Sequence, residues 1–145
     1  GLGYQINPKE HILPILVERA YTGDTFTING DDYDTVDGTN VRDYTHVLDI
    51  ATAHIAALNY LFDGGNSDIF NIGGGSPQSI KQVISEVEKQ SDKKINVEIG
   101  PRREGDAVRT DANISKAFDI LGWDSNYTIE DIVRDEIAYY KKTEK

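Results

Sequence analysis

Apolar residues recur at helical spacing in four stretches of the chain. Over residues 50–61, Ile50, Ala53, Ala57, Leu58 and Leu61 fall on one stripe, the pattern of a helix that turns one face to a core. Ile80, Val83, Ile84 and Val87 repeat it over residues 79–87, and Ser79 is placed to accept a hydrogen bond from the unpaired amides of the first turn. Asn113 stands as a cap before Ile114, Ala117, Phe118 and Leu121, and Gly122 follows where a left-handed C-terminal residue fits. Thr128 and Asp131 have the spacing of a capping box. The helix they open directs Ile129, Ile132, Val133, Ile137 and Tyr140 inward, and Lys141 and Lys142 complement its C-terminal dipole.

Residues 26–28, 41–44, 69–72 and 95–99 are β-rich runs bounded by Gly, Asp, Asn or Pro. Strands and helices alternate, which predicts a mixed α/β fold. The unit made of 69–72, the helix from Ser79 and 95–99 has the length of a parallel crossover, for which a right-handed connection is expected. No internal repeat or low-complexity tract interrupts the pattern. The Asp-rich loop 30–40 is long enough to be functional.

Composition narrows this to one domain, because the chain has 145 residues, 38% of them hydrophobic and 28% charged. Disulfides, thiolate metal sites and cysteine nucleophiles are excluded, since there is no cysteine. Fifteen Lys and Arg against twenty-five Asp and Glu give a net charge of -10, which opposes nucleic acid and anionic membrane surfaces as partners. An anionic ligand must therefore be held by a local cluster of arginines. The apolar run at residues 12–17 falls far short of the ~20 residues a membrane span needs, and the N-terminus lacks a signal peptide's regions, so a cytoplasmic location is expected. There is no methionine, and the chain opens Gly1-Leu2-Gly3, as expected of a processed start or of a piece of a longer protein.

Several motifs carry less than they suggest. Asn71-Ile72-Gly73-Gly74-Gly75-Ser76 lies between a β-rich run and a helix, but the third glycine of a dinucleotide fingerprint is replaced by Gln78, and Pro77 removes an amide. It reads as a tight turn. Asp31-Asp32-Tyr33-Asp34-Thr35-Val36-Asp37-Gly38 has Asp37 where a calcium loop started at Asp32 needs glycine, so a solvated hairpin loop is expected. His11, His46 and His54 lack a metal-ligand spacing, and the sequons at Asn113 and Asn126 lack a secretory context. More informative are the arginines: Arg42 follows the Gly-containing loop, and Arg102-Arg103-Glu104-Gly105-Asp106 follows the run ending at Ile99. Two guanidinium forks match a diphosphate, and a carboxylate such as Asp106 can accept from ribose hydroxyls. The alternative is that Arg42 pairs with Asp43 or Asp37 and the second loop is a charged turn.

Taken in order, the run from Asn29-Gly30-Asp31-Asp32-Tyr33 through Asp37-Gly38-Thr39-Asn40-Val41-Arg42-Asp43-Tyr44-Thr45-His46 to Asp49 closely resembles the UDP-glucose 4-epimerases. The resemblance continues through Phe70-Asn71-Ile72-Gly73, Pro101-Arg102-Arg103-Glu104-Gly105-Asp106, Ser115-Lys116-Ala117 and Leu121-Gly122-Trp123, covering about residues 7–140. These enzymes are extended short-chain dehydrogenase/reductases. The resemblance covers their C-terminal, substrate-binding part only, so residues 1–145 are expected to be a UDP-sugar-binding C-terminal domain, a fragment of a longer enzyme. The N-terminal Rossmann half, with its glycine-rich NAD turn, is absent from it. So is the catalytic tyrosine followed four residues later by lysine: none of Tyr4, Tyr21, Tyr33, Tyr44, Tyr60, Tyr127, Tyr139 or Tyr140 has that lysine.

The resemblance implies that Arg42 and Arg103 hold the diphosphate, Asp106 the uridine ribose, and Thr27, Ile28 and Asn29 the uracil through their backbone. His11, Ile12, Tyr44 and Ile80 are implied to line the pocket. The full-length reaction would interconvert UDP-glucose and UDP-galactose through a 4-keto intermediate with NAD, while this chain is expected to bind no cofactor and to be inactive alone. Its implied partners are a UDP-sugar and the missing Rossmann domain, and the isolated chain is expected to self-associate or to be a loosely packed monomer. The rival readings are another sugar-nucleotide epimerase or dehydratase of the same superfamily, and a non-catalytic nucleotide-sugar binding module.

Overall fold

The computed structural model describes residues 10–143; the opening Gly1-Leu2-Gly3, Tyr4 and the start of the resemblance near Asn7 lie outside them. The first helix, α1 (Ile12–Thr22), was not legible as a period, because its apolar residues run almost without a break. Pro14 does not break it. It occupies the first turn, where an N–H has no partner within the helix, and the helix ends at left-handed Gly23, whose amide donates to Arg19 O at 2.9 Å.

Helix α2 spans Val47–Phe62, three residues longer at its start than expected, because His46 caps it: Nδ1 accepts from the Leu48 amide at 3.1 Å. Helix α3 (Ile80–Ser91) opens with the expected Ser79 cap, completed into a capping box by Gln82. Helix α4 (Ser115–Leu121) closes on left-handed Gly122, with Asn113 Oδ1 accepting from the Ser115 amide at 3.0 Å. Helix α5 (Ile129–Thr143) begins with the predicted exchange between Thr128 and Asp131.

Leu16, Val17, Val83, Val87 and Val133 are fully buried where α1, α3 and α5 pack together. Ile28 of strand β1 (Phe26–Asn29) and Ile95 join that cluster. Strand β4 (Val97–Gly100) begins two residues later than expected and pairs in parallel with β1, Phe26 opposite Val97 and Asn29 opposite Gly100. This corrects the expected crossover. Among the described residues, 69–72 join no ladder; Ile69 is exposed, and its carbonyl accepts from Lys116 Nζ, while Phe70 and Ile72 pack on a smaller cluster of Ala53, Ala117 and Trp123.

A second small sheet sets β2 (Val41–Arg42) between β3 (Gln78–Ser79), antiparallel, and β5 (Arg109–Thr110), parallel. Since β1 and β2 belong to different sheets, loop 30–40 is a connection rather than a hairpin, and it buries Tyr33, Thr39 and Asn40. The stripe expected to turn inward on α2 does so only at Ala53; Ile50, Leu58 and Leu61 are exposed, as is Phe118 on α4. Among the described residues no helix is long and apolar enough to cross a membrane.

Candidate functional site

Arg42 and Asp106, 64 residues apart, meet where β2 faces the loop after β4. Arg42 Nη2 donates to Asp106 Oδ1, Nη1 donates to Val41 O at 2.8 Å, and Asn40 Nδ2 donates to Asp106 Oδ2 at 2.7 Å. The alternative partners for Arg42 are occupied elsewhere. Asp43 accepts from the amides of Gly74 and Ala112, and Asp37 accepts from Thr39 and Ser79. Burial pushes the Asp37 carboxyl up, but the Ser79 and Thr39 hydrogen bonds and the Lys81 charge outweigh it and hold Asp37 below its ordinary value.

The loop carrying Asp106 is fastened to loop 30–40 by Arg102. Its Nε donates to Asp32 Oδ1 at 2.6 Å, its Nη2 to Asp32 O, and its guanidinium lies 4.3 Å over the Tyr33 ring. Tyr33 Oη in turn donates to Asn29 O at 3.1 Å. Gly30 is required beneath this crossing: its φ is 86°, and a Cβ would stand 2.6 Å from Arg102 Cγ. The Arg102 hydrogen bond holds the exposed Asp32 carboxyl below its ordinary value. Arg103 is left exposed beside this staple, its carbonyl accepting from the Asp106 amide at 3.2 Å.

The remaining expected residues divide. Ile12, Tyr44 and Ile80 pack against the cluster that contains Ile28. The Tyr44 hydroxyl is buried without a hydrogen-bond partner, which is unusual, since a buried phenol normally finds one. Burial pushes this phenol up to about 12, with the Arg42 charge acting the other way. Thr27 is exposed and donates across the strand pair to Glu98 at 2.6 Å. Asn29 ends β1, which has a strand neighbour on one side only among the described residues, so backbone groups along its other edge face no ladder. His11 is exposed at the start of α1 and makes no side-chain capping bond there.

Sequence reasoning missed Asn40 and Arg102 as members of this arrangement. Asn40 had a signal, since it lies two residues before Arg42 on an extended segment, where alternate side chains share a face.

Two clefts lie nearby, one of them bordering Arg42. One of about 370 Å³ is walled by Arg42, Asp43, Asn71 and Thr110, and a larger one of about 660 Å³ lies between Gly75 and the 124–130 segment. Of the expected ligand residues only Arg42 borders either of these two clefts.

The glycines at 73–75 do not fit a dinucleotide. The Gly74 amide is taken by Asp43 Oδ1 at 2.9 Å, and a Cβ on Gly74 would lie 2.0 Å from Tyr44 O. Gly74 makes room for the backbone of Tyr44, and Gly73 for the side chains of Asp43 and Ala112. No group of His, Cys, Asp or Glu among the described residues could hold a metal ion.

The NAD dependent epimerase/dehydratase family matches residues 2–73. A UDP-glucose 4-epimerase of Rhizobium leguminosarum bv. trifolii is 38% identical over 98% of this chain and 44% of its own length. The crystal structure of UDP-glucose-4-epimerase from Stenotrophomonas maltophila with bound NAD and formylated UDP-arabinopyranose superposes with a TM-score of 0.92 at 32% identity, over 97% of this chain and 42% of that one. That of the Bifidobacterium longum enzyme in complex with NAD+ and UDP gives 0.85 at 36% identity, over 92% and 40%. The chain thus spans less than half the length of the relatives it matches. Over nearly all of its own length the chain matches the C-terminal portion of UDP-glucose 4-epimerases of the NAD dependent epimerase/dehydratase family.

Proposed function

We propose that residues 1–145 are the UDP-sugar-binding portion of a UDP-glucose 4-epimerase. The observation that carries this is the meeting of Arg42 and Asp106 beside the partnerless Tyr44 hydroxyl. Arg42 has five N–H donors, and two are engaged within the protein, so three are left for phosphate oxygens. Exposed Arg103, three residues before Asp106, adds a second fork. Asp106 accepts from the ribose, and the edge of β1 turned away from β4 meets the uracil. Thr27, Ile28 and Asn29 contribute backbone there, while His11, Ile12, Tyr44 and Ile80 border the nucleotide.

In this reading the chain binds and orients a UDP-sugar, and inversion at C4 of the hexose belongs to the complete protein. The Gly74 amide is taken by Asp43 and the space beside Gly74 by Tyr44 O, and no tyrosine is followed four residues later by the lysine that would lower its pKa. The isolated chain therefore binds UDP but not NAD, and does not epimerise UDP-galactose. Calorimetric titration with UDP and with NAD, together with a turnover assay against a buffer control, tests this. Stoichiometric NAD, turnover above the control, or no heat with UDP contradicts it.

A further inference from the structure

Asn40 is one of the few buried polar residues of the chain, and its side chain has a specific task. Its Nδ2 donates to Asp106 Oδ2 at 2.7 Å, and its carbonyl accepts from the Ile80 amide at 3.2 Å. Asn40 and Arg42, on the same face of one extended segment, thus grip the two oxygens of a single carboxylate. That carboxylate stands in a loop of exposed residues, 101–108, and its amide closes the turn from Arg103. The clamp sets the direction of the Asp106 carboxylate, while Arg102 holds the backbone of the loop, and Arg103 with it, to loop 30–40.

The two jaws differ in charge. Arg42 is a cation to which a diphosphate is attracted as strongly as Asp106 is, so an arriving ligand competes for it. Asn40 is neutral and offers no charge to a phosphate. A carboxylate has about four lone-pair sites; Asn40 and Arg42 take two, and two are left for the two hydroxyls of a ribose. Resting on the UDP-sugar reading above, we propose that Asn40 is a positioning residue of the nucleotide site. It keeps the Asp106 carboxylate aimed at the ribose hydroxyls when the Arg42 charge is drawn to the diphosphate.

The test compares UDP with 2′,3′-dideoxy-UDP, which keeps the diphosphate and uracil but lacks both ribose hydroxyls. Titrations use the full 145-residue chain and its Asn40→Ala and Asn40→Asp variants. Asn40→Ala removes a positioning hydrogen bond rather than a contact with the ligand, so it should weaken UDP about three- to tenfold, with less than about a twofold change for the dideoxy compound. Asn40→Asp is of the same size, and its carboxylate repels Asp106, so it should weaken UDP further and still spare the dideoxy compound.

Equal losses for both ligands would show that Asn40 acts on the fold alone and overturn the proposal. So would unchanged UDP affinity, or failure of both variants to fold. If the wild-type chain binds UDP and Asn40→Ala binds it equally well, only the role of Asn40 falls. If the wild-type chain binds no UDP, the functional reading falls and takes this inference with it.

Discussion

Helices α3 and α2 both carry apolar residues at helical spacing, yet they end in opposite environments. On α3, Val83, Ile84 and Val87 are 0%, 7% and 0% exposed, and Lys81, Gln82, Ser85 and Lys89 face solvent. On α2, Ile55, Leu58 and Phe62 are 59%, 53% and 84% exposed, and burial is complete only at the narrow side formed by Asp49 and Ala53. A helix that faces water on one side has a polar stripe; one that is apolar most of the way round is covered on most sides where it works. Periodicity therefore reports that a face is to be buried, without saying against what. In α3 the partners are α1 and α5 of the same chain, whereas in α2 the small side rests on α4 and the Trp123 cluster, and the large side is unpartnered among the described residues.

The contrast is sharpest in stability. Leu16 is fully buried at the meeting of α1, α3 and α5, so Leu16→Ala should cost about 2–5 kcal/mol in urea denaturation. Leu58→Ala on α2 should stay within about 0.5 kcal/mol for the isolated chain. Comparable losses at the two sites would show that α2 is integrated into the same core.

A smaller effect is expected where α2 is fastened to the segment before α5. The fully buried Asp49 carboxylate accepts from the amides of Asn126 and Tyr127 at 3.0 and 3.2 Å. Asp49→Ala strands both amides and should cost about 1–3 kcal/mol, read as a lower denaturation midpoint.

The Ser79 cap at the start of α3 sets a pH-dependent contribution. Asp37 accepts from Ser79, and its carboxyl is held below the ordinary value of 3.8. A depressed folded value gives stability that is present above the unfolded pKa and lost as the pH falls through the folded one. The stability gap between the wild type and Asp37→Asn should therefore be widest near neutrality and narrow below about pH 4. A gap independent of pH contradicts this assignment. On α2, Ile55→Lys combined with Phe62→Lys should change stability least, yet convert a self-associating chain to a monomer in sedimentation. If the unmodified chain is already a compact monomer that binds no hydrophobic dye, the exposed face does not drive association.

What the sequence disclosed follows the same division. The capping residues were legible because their chemistry is local: Ser79, Thr128 with Asp131, and Gly122 act within a few residues of themselves. Helix α1 was hidden because its continuous apolar run has no visible period. The partner of β4 was misassigned to residues 69–72, since pairing is a nonlocal choice and Phe70 and Ile72 are claimed by the Trp123 cluster instead. For the candidate site, the ordered arginine motifs singled out Arg42, Arg103 and Asp106, but not the ion pair between Arg42 and Asp106 across 64 residues. Nor did local spacing reveal that Arg102 would staple the two loops, because Asp32 and Tyr33 lie about 70 residues away.

The central claim is that the two loops so joined hold a uridine diphosphate, and Arg103 tests it most directly because it is exposed and its loss disturbs little else. A charge-assisted hydrogen bond is worth ~1.5–3 kcal/mol, so Arg103→Ala should weaken UDP at least about tenfold in calorimetric titration. Uridine, which has no phosphate, should lose much less. Equal losses for UDP and uridine would mean that Arg103 shapes the loop rather than gripping the diphosphate, and the site assignment would fail.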